Sequence, residues 1–255
     1  MKNREWELEM ALEGETGLSA LAPGAFSTEE DIGLFSEIWR RKELMVFDFD
    51  GTLLDSMGMW EHIGPDYLRS QGITPPEDLT DTIFQYTVDE CYDYFVRVFG
   101  IAQSIDEYRR DVYAMVMHRY TDELQLKNGA LDFVQKTAGA GKQICILTNT
   151  GRECVEPAMR RLGLDTFIRS EHLFTCKELG MDKQTSAIYL RAAKLMGCDP
   201  QNAVCFEDTS FAVKNAKQAG YTVCAVFDAA SDKEADRKMI AEYTDIRVPD
   251  LSVLR

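Results

Sequence analysis

One stretch of the sequence decides the fold: Leu44-Met-Val-Phe-Asp48-Phe-Asp50-Gly51-Thr52-Leu-Leu-Asp55-Ser56. Its apolar beginning predicts a short buried strand, which ends in two carboxylates two residues apart. Because side chains alternate along a strand, Asp48 and Asp50 leave the end of the sheet on roughly the same side. Gly51 can adopt backbone angles that strain other residues, so the chain can turn sharply beside a ligand. The pattern therefore indicates a site that holds a cation or attacks an electrophile.

This stretch resembles the first motif of the haloacid dehalogenase-like (HAD) phosphatases, in which an apolar strand leads into D-x-D-G-T-L-x-D-S. In that family the first aspartate attacks phosphorus and the second acts as general acid and base. The resemblance implies that Asp48 is the nucleophile and forms an aspartyl-phosphate, and that Asp50 is the proton shuttle. It also implies that Gly51 and Thr52 contact the phosphate.

The charge of the chain limits the partners that it can have. Among 255 residues, 28 lysines and arginines face 43 aspartates and glutamates, which gives a formal net charge of -15. Phosphate backbones and anionic membranes are held by clustered positive charge, so we expect neither nucleic acid nor a membrane as partner. A small phosphorylated metabolite remains compatible, because a metal ion and one lysine can meet its charge locally. The oligomeric state stays open.

The cysteines and the apolar segments indicate the compartment. Seven cysteines are scattered through the chain without any Cys-x-x-Cys spacing, and several lie in apolar runs, which is typical of reduced thiols. No apolar run is long enough to span a bilayer, and none follows basic residues at the N-terminus. We therefore expect a cytoplasmic protein.

The chain divides into three predicted segments. Residues 1–42 form an N-terminal extension, in which Ser27-Thr-Glu-Glu30 predicts a capping box and 28–41 an amphipathic helix, packed on the core or used in a dimer contact. A helical insert covers residues 58–126, and residues 43–57 and 127–255 form the core. The helices predicted within the insert are 60–71, 79–86, 88–99 and 105–124.

Short apolar strands alternate with helices after the helical insert, which predicts an α/β fold with a parallel sheet and helices on both faces. Ligands bind beyond the carboxyl ends of the strands in such sheets. The motifs at Asp48, Thr148 and Asp208 all stand at predicted strand ends, and the resemblance implies a Rossmann-like core with the insert as a cap. Strands are predicted to end near Thr148, Phe206 and Val226, with helices near 152–162, 185–196, 209–219 and 232–242.

Two further motifs match the resembling family at weaker specificity. The family's second motif implies that Thr148 and Asn149, which follow an apolar strand, hold phosphoryl oxygens. Its third motif places a lysine six residues before an aromatic residue, which implies Lys183 with Tyr189. The prolines usual in that loop are missing here, and Lys177 is a rival candidate.

The fourth motif is an acidic pair after a buried strand. On its own, Asp208 could simply cap the following helix. The resemblance implies instead a Mg²⁺ site made by Asp48, the carbonyl of Asp50 and Asp208, with Glu207 binding directly or through a water. The Asp50 carboxyl must be protonated to act as an acid, so its pKa should be raised by its neighbours.

The helical insert is expected to close over the site and to exclude water. The predicted hinges are residues 56–59 and 124–129. Met57, Trp60 and His62, on its first helix, are the candidates for substrate contact, although a role in the core of the insert is the alternative for Trp60.

The function predicted is a Mg²⁺-dependent phosphatase acting on a small phosphate monoester such as a sugar phosphate. A sugar-phosphate mutase related to beta-phosphoglucomutase is the alternative, but Trp60 occupies the position of the mutase histidine and no basic loop follows. A phosphonatase would need a lysine, and residues 58–126 contain none. Asp50 and Asp208 argue against a metal-free dehalogenase, and the intact Asp48 and Lys183 argue against a non-catalytic binding protein.

Overall fold

A six-stranded parallel sheet forms the centre of the structure, a computed structural model that describes residues 21–83 and 86–254. The strands lie in the order β3-β2-β1-β4-β5-β6. The chain first adds β2 and β3 on one side of β1 and then β4, β5 and β6 on the other side. The carboxyl ends of β1 and β4 are therefore neighbours at the point where the strand order reverses. The strands are β1 Leu44–Phe47, β2 Gln143–Thr148, β3 Leu173–Thr175, β4 Ala203–Glu207, β5 Thr222–Val226 and β6 Ile246–Val248.

Helices cover both faces of the sheet, which explains why the central strands are apolar without alternation. Every residue of β1, β4 and β5 is buried, and the two faces contribute to two separate apolar clusters. The α-helices are α1 Glu29–Arg41, α2 Met57–Ser70, α3 Leu79–Ile83, α4 Val88–Phe99, α5 Ile105–His118, α6 Ala130–Gly139, α7 Arg152–Arg161, α8 Cys176–Leu179, α9 Ser186–Leu195, α10 Ser210–Gln218 and α11 Glu234–Tyr243.

The predicted α/β fold is confirmed, with differences at individual elements. The predicted helix 105–124 is α-helical only to His118 and continues as one π-helical turn over Arg119–Glu123. The helix predicted over 79–86 is described only as Leu79–Ile83, because residues 84 and 85 lie outside the described part of the chain. The three-residue strands β3 and β6 and the helix α6 were not predicted. Short 3₁₀-helices lie at Leu164–Thr166, Ser170–His172, Pro200–Asn202 and Leu251–Val253.

The N-terminal extension packs on the core through α1. Phe35 lies edge-on to Phe206 with ring centroids 6.5 Å apart, and Trp39 packs on Phe133. The amphipathic helix is thus an intramolecular element. The predicted capping box was one residue out of register: Thr28 accepts from the Asp31 amide and the Asp31 carboxylate accepts from the Thr28 amide. Residues 1–20 of the extension lie outside the described residues.

The helical insert has an aromatic core of its own. Tyr67 stacks on Phe95 with centroids 5.9 Å apart, and Tyr108 meets Tyr67 edge-on at 4.7 Å. Two linkers, residues 48–56 and 124–129, join the insert to the core and pair with each other, since the Asp55 amide donates to the Gln125 carbonyl at 2.9 Å. Because α2 already begins at Met57, most of the first predicted hinge, 56–59, is helical.

Two further sequence observations can be compared with the structure. All seven cysteines are free thiols, and five of them are buried. In the parts of the chain described above, the helices are too short or too polar to cross a bilayer.

Candidate active site

The carboxyl end of β1 brings Asp48 against a buried lysine. The Asp48 amide donates to the Phe206 carbonyl of the neighbouring strand, which extends the sheet by one residue and fixes the direction of its side chain. Lys183, only 2 % exposed, donates from Nζ to Asp48 Oδ1 at 2.6 Å. The rival Lys177 is exposed on α8, so Lys183 is the lysine that the fold brings to the site.

The carboxyl end of β4 adds two further carboxylates. Lys183 Nζ also donates to Glu207 Oε1 at 2.7 Å, and the Tyr189 hydroxyl donates to the same oxygen at 3.0 Å. Asp208 accepts from the Ser231 hydroxyl at 2.8 Å. Carboxylate oxygens of Asp48, Glu207 and Asp208 lie within 4.8 Å of one another, and all three residues are buried. Two of the three acids therefore share one lysine, and Asp208 lies beside them.

This crowding determines the pKa values in the site. Burial raises the pKa of Asp48, the Lys183 ammonium opposes the rise, and the Glu207 carboxylate adds to it. Burial, then Asp48 and Glu207, hold the pKa of Asp208 well above its usual range. Burial lowers the pKa of Lys183, but the carboxylates of Asp48 and Glu207 outweigh it and raise the pKa overall. The fully ionised cluster would carry more negative than positive charge, and a bound cation would offset that excess.

The oxygens of this cluster fit a divalent cation. Glu207 Oε2 and Asp208 Oδ1 are both buried, and no hydrogen-bond donor in residues 21–83 and 86–254 reaches either atom. Buried polar atoms normally have a partner, so two such oxygens within one acidic cluster point to a ligand. Magnesium is bound by oxygen ligands of this kind. The predicted ligands Asp48, Glu207 and Asp208 are thus brought together by the fold.

Asp50 is held by three hydroxyl groups. Its Oδ1 accepts from Ser56 Oγ at 2.6 Å and from the Tyr120 hydroxyl at 2.5 Å, and its Oδ2 accepts from Thr150 Oγ1 at 2.7 Å. Ser56 ends the first linker of the helical insert, Tyr120 lies in the π-helical turn just before the second linker, and Thr150 follows β2. Burial and then the Asp48 carboxylate raise the pKa of Asp50, against the effect of these hydrogen bonds. The surroundings of Asp50 therefore raise its pKa, which is the direction predicted from the sequence.

Gly51 makes the turn after the two aspartates. Its φ of +79° lies in the left-handed region, and a Cβ here would stand 2.5 Å from Asp208 Oδ2. Only glycine fits both conditions. The Gly51 carbonyl accepts from Lys127 Nζ at 2.8 Å, and the same ammonium reaches the Asp228 carboxylate at 2.9 Å. Lys127 thus ties the turn to the loop after β5.

A cavity of about 550 Å³ opens above this cluster, between the sheet and the helical insert. The predicted phosphate contacts Thr148 and Asn149 line it, and the Thr148 hydroxyl accepts from the Thr150 amide at 3.0 Å. Met57 and Trp60, the predicted substrate contacts on α2, also line it. The cavity also reaches Asp48, Asp50, Lys183 and Asp208, so one space connects the acidic cluster with the insert.

Four predicted site residues do not line this cavity: Glu207 and Gly51 belong to the acidic cluster and the turn beside it, and Thr52 and His62 lie elsewhere. Thr52 is fully buried, and its hydroxyl has no hydrogen-bond partner within the described part of the chain. His62 is exposed on α2 and lines neither this cavity nor its neighbour beside Trp60. Its position follows from helix geometry: residues three apart share a face, and Met57 and Trp60 do so, but His62 is two positions further on.

The structure adds residues that the sequence did not single out as site residues: Ser56, Tyr120, Thr150 and Lys127. Ser56 and Thr150 lie inside or beside quoted motifs, so their proximity was a possible signal. Tyr120 is 70 positions from Asp50 and had none. Lys183 and Tyr189, which the sequence paired by their spacing, both donate to Glu207 Oε1 and so orient the Glu207 side chain.

Three comparisons place this architecture among known proteins. A phosphorylated carbohydrates phosphatase of Thermotoga maritima is 22% identical over 178 residues, or 70% of this chain and 82% of that protein. A Drosophila melanogaster protein provisionally named a pseudouridine-5′-phosphatase is 25% identical over 208 residues, or 78% and 87%.

A solved Thermotoga maritima structure, provisionally described as a beta-phosphoglucomutase, superposes with a TM-score of 0.73 at 21% identity, and covers 83% of this chain and 96% of that one. At that identity the likeness concerns the fold. The family model described as haloacid dehalogenase-like hydrolase matches residues 45–226, from β1 to the end of β5 and across the acidic cluster. The chain therefore belongs to the haloacid dehalogenase-like hydrolase family.

Proposed function

We propose that this protein is a Mg²⁺-dependent phosphatase that hydrolyses a small phosphate monoester through an aspartyl-phosphate on Asp48. The observation that carries the proposal is the buried cluster of Asp48, Lys183, Glu207 and Asp208 beside Asp50. Family membership and relatives named as phosphatases support the same reaction class.

Asp48, the carbonyl of Asp50, Asp208 and Glu207 would hold the metal. When bound, Mg²⁺ neutralises phosphoryl oxygens and so reduces their repulsion of a carboxylate nucleophile. Lys183 supplies a fixed positive charge between Asp48 and Glu207, at 2.6 and 2.7 Å. Its raised pKa keeps it charged, so it can orient the Asp48 carboxylate and stabilise negative charge on the phosphoryl group.

The reaction takes two steps. In the first, an Asp48 carboxylate oxygen forms a bond to phosphorus while the bond to the ester oxygen breaks, and the Asp50 carboxyl donates a proton to that leaving oxygen. In the second, Asp50, now ionised, removes a proton from a water that attacks the phosphorus, which releases inorganic phosphate and restores Asp48. Thr148 and Asn149 line the cavity and would contact phosphoryl oxygens.

Tyr120 would act as a positioning residue for Asp50. We expect Tyr120→Phe to lower kcat/KM on an alkyl phosphate about tenfold, which is the scale of one hydrogen bond to a charged group. On an activated aryl phosphate the loss should be small, because a good leaving group needs little proton donation. Tyr113→Phe is the matched control, since Tyr113 lines the same cavity on α5. Equal losses on both substrates would contradict this role.

The metal requirement gives the primary test. Purified protein should release inorganic phosphate from an aryl phosphate only with Mg²⁺, lose that activity in excess chelator, and regain it when Mg²⁺ is added back. Unchanged turnover in chelator would contradict the proposal. The mutase alternative has a separate readout: beta-glucose 1-phosphate with a trace of the bisphosphate would be isomerised rapidly, with little phosphate released.

A further inference from the structure

The cavity indicates the chemistry of the leaving group. We infer that the preferred substrate carries a flat aromatic ring on its leaving group, beyond the carbon that bears the phosphate. This inference rests on the proposed phosphatase function and extends it to a substrate class, because the residues that would act on the phosphate itself, such as Asp48 and Lys183, do not distinguish one small phosphate ester from another.

The side of the cavity facing the helical insert is apolar. Above the acidic cluster, the cavity of about 550 Å³ is enclosed by hydrocarbon and aromatic side chains from α2, α4, α5 and α10. Apart from Arg109 and the Tyr113 hydroxyl, the polar groups that line it come from the core. They are the acidic cluster, the loop after β2, Thr209, and Glu153 on α7. The apolar lining consists of Met57, Trp60, Val88, Val112, Tyr113, Val116 and Phe211.

A second cavity of about 530 Å³ extends the same apolar wall. It shares Trp60, Val88 and Phe211 with the first cavity, so the two spaces are neighbours across these side chains. Its helical-insert side adds Ile63, Ile83 and Tyr108, together with the polar side chains of Glu61, Thr80 and Thr87. Its core side carries Ser210 and Ser231, whose hydroxyls already donate to Asp236 and Asp208. A ring that enters past Trp60 would find apolar faces and a polar edge.

Several of the large apolar side chains that line the two cavities are exposed to solvent. Trp60 is 37 % exposed, Tyr86 41 %, Val88 45 % and Tyr113 46 %, and all four line the two cavities. Large apolar groups that gather in one cleft are typical of a binding surface rather than of an ordinary exterior. The first cavity also contains Asp48, the proposed nucleophile. A substrate whose phosphate lies at Asp48 would therefore place its leaving group against these side chains.

A polyhydroxylated leaving group would fit this wall poorly. Arg109 is the single charged side chain that the helical insert contributes to the first cavity from its described residues, and its guanidinium already pairs with Asp89, with Nε at 2.9 Å. Each sugar hydroxyl placed against the valines and Trp60 would lose water without gaining a partner. The faces of an aromatic ring carry no hydroxyls that must give up water there, and the ring would stack on the Trp60 indole.

The test compares two esters that differ at the anomeric carbon, which carries a flat base in one and a hydroxyl in the other. Uridine 5′-monophosphate and ribose 5-phosphate share the same primary alcohol as leaving group, so the chemistry of phosphoryl transfer is matched. We expect kcat/KM to favour the nucleotide at least about tenfold, the scale of one base stacked on an aromatic side chain. Trp60→Ala should bring the ratio close to one, whereas Trp60→Phe, which keeps a ring, should preserve most of it.

Two valines on α4 supply a matched pair. Val88 is 45 % exposed and lines both cavities, whereas Val98 is 50 % exposed and lines neither. Val88→Ala should lower the nucleotide preference, and Val98→Ala should leave it unchanged. A ratio of one or below in the parent, or a ratio that survives Trp60→Ala, would overturn the inference. Mg²⁺-dependent release of phosphate from an aryl phosphate is read separately, so its loss would mark failure of the proposed function itself.

Discussion

Asp48→Asn is expected to abolish phosphatase activity, with a loss in kcat approaching the ~10⁶-fold seen when a covalent nucleophile is removed. The substitution keeps the shape of the side chain but removes the oxygen nucleophile. Lys183 retains Glu207 as a partner at 2.7 Å, so the buried ammonium is not stranded. Steady-state phosphate release with an aryl phosphate is the measurement.

The fold should survive this change. Burial raises the pKa of Asp48, so at neutral pH its ionised form is less favourable in the folded protein than in the unfolded chain. Removing the charge should therefore leave the metal-free variant melting no lower than the parent. Asp55→Asn is the matched control, because Asp55 is an exposed acid of the same motif and should retain activity within a factor of about two. Activity in Asp48→Asn near the parent level would refute the nucleophile assignment.

Asp50→Asn is expected to lower kcat by ~10²–10⁴-fold, the usual contribution of general acid–base catalysis. Its amide can neither protonate the leaving oxygen nor accept a proton from water. Magnesium should still bind, because the proposed ligand at this position is the backbone carbonyl. Calorimetric titration with Mg²⁺ and phosphate release on the same preparation separate the two effects. Turnover within a factor of about two of the parent would remove Asp50 from this role.

The strand-end motifs could be predicted because each is local in sequence. Asp48 and Asp208 follow apolar runs directly, and parallel strands place their carboxyl ends at one edge of the sheet. The strands β3 and β6 are only three residues long, too short for an apolar pattern to distinguish them from a buried loop.

The contacts that complete the site could not be predicted, because they depend on tertiary packing. Tyr120 meets Asp50 only because the two linkers of the helical insert pair side by side, and nothing near Tyr120 in sequence indicates it. The capping box was misplaced because Ser27 with Glu30 and Thr28 with Asp31 satisfy the same spacing. Tertiary packing decides which of them caps the helix. The Ser27 hydroxyl accepts from the Arg247 amide at 3.0 Å, and Thr28 is the cap.

The covalent intermediate is the central claim, and it can be trapped directly. Parent enzyme mixed with phosphorus-labelled substrate and Mg²⁺ would be quenched in acid within the first turnover and then digested for peptide mapping. The label should appear transiently on the peptide that contains Asp48, should be released by hydroxylamine as expected for an acyl phosphate, and should be absent from Asp48→Asn. Rapid release of phosphate without any labelled protein, or label on a different residue, would contradict the mechanism.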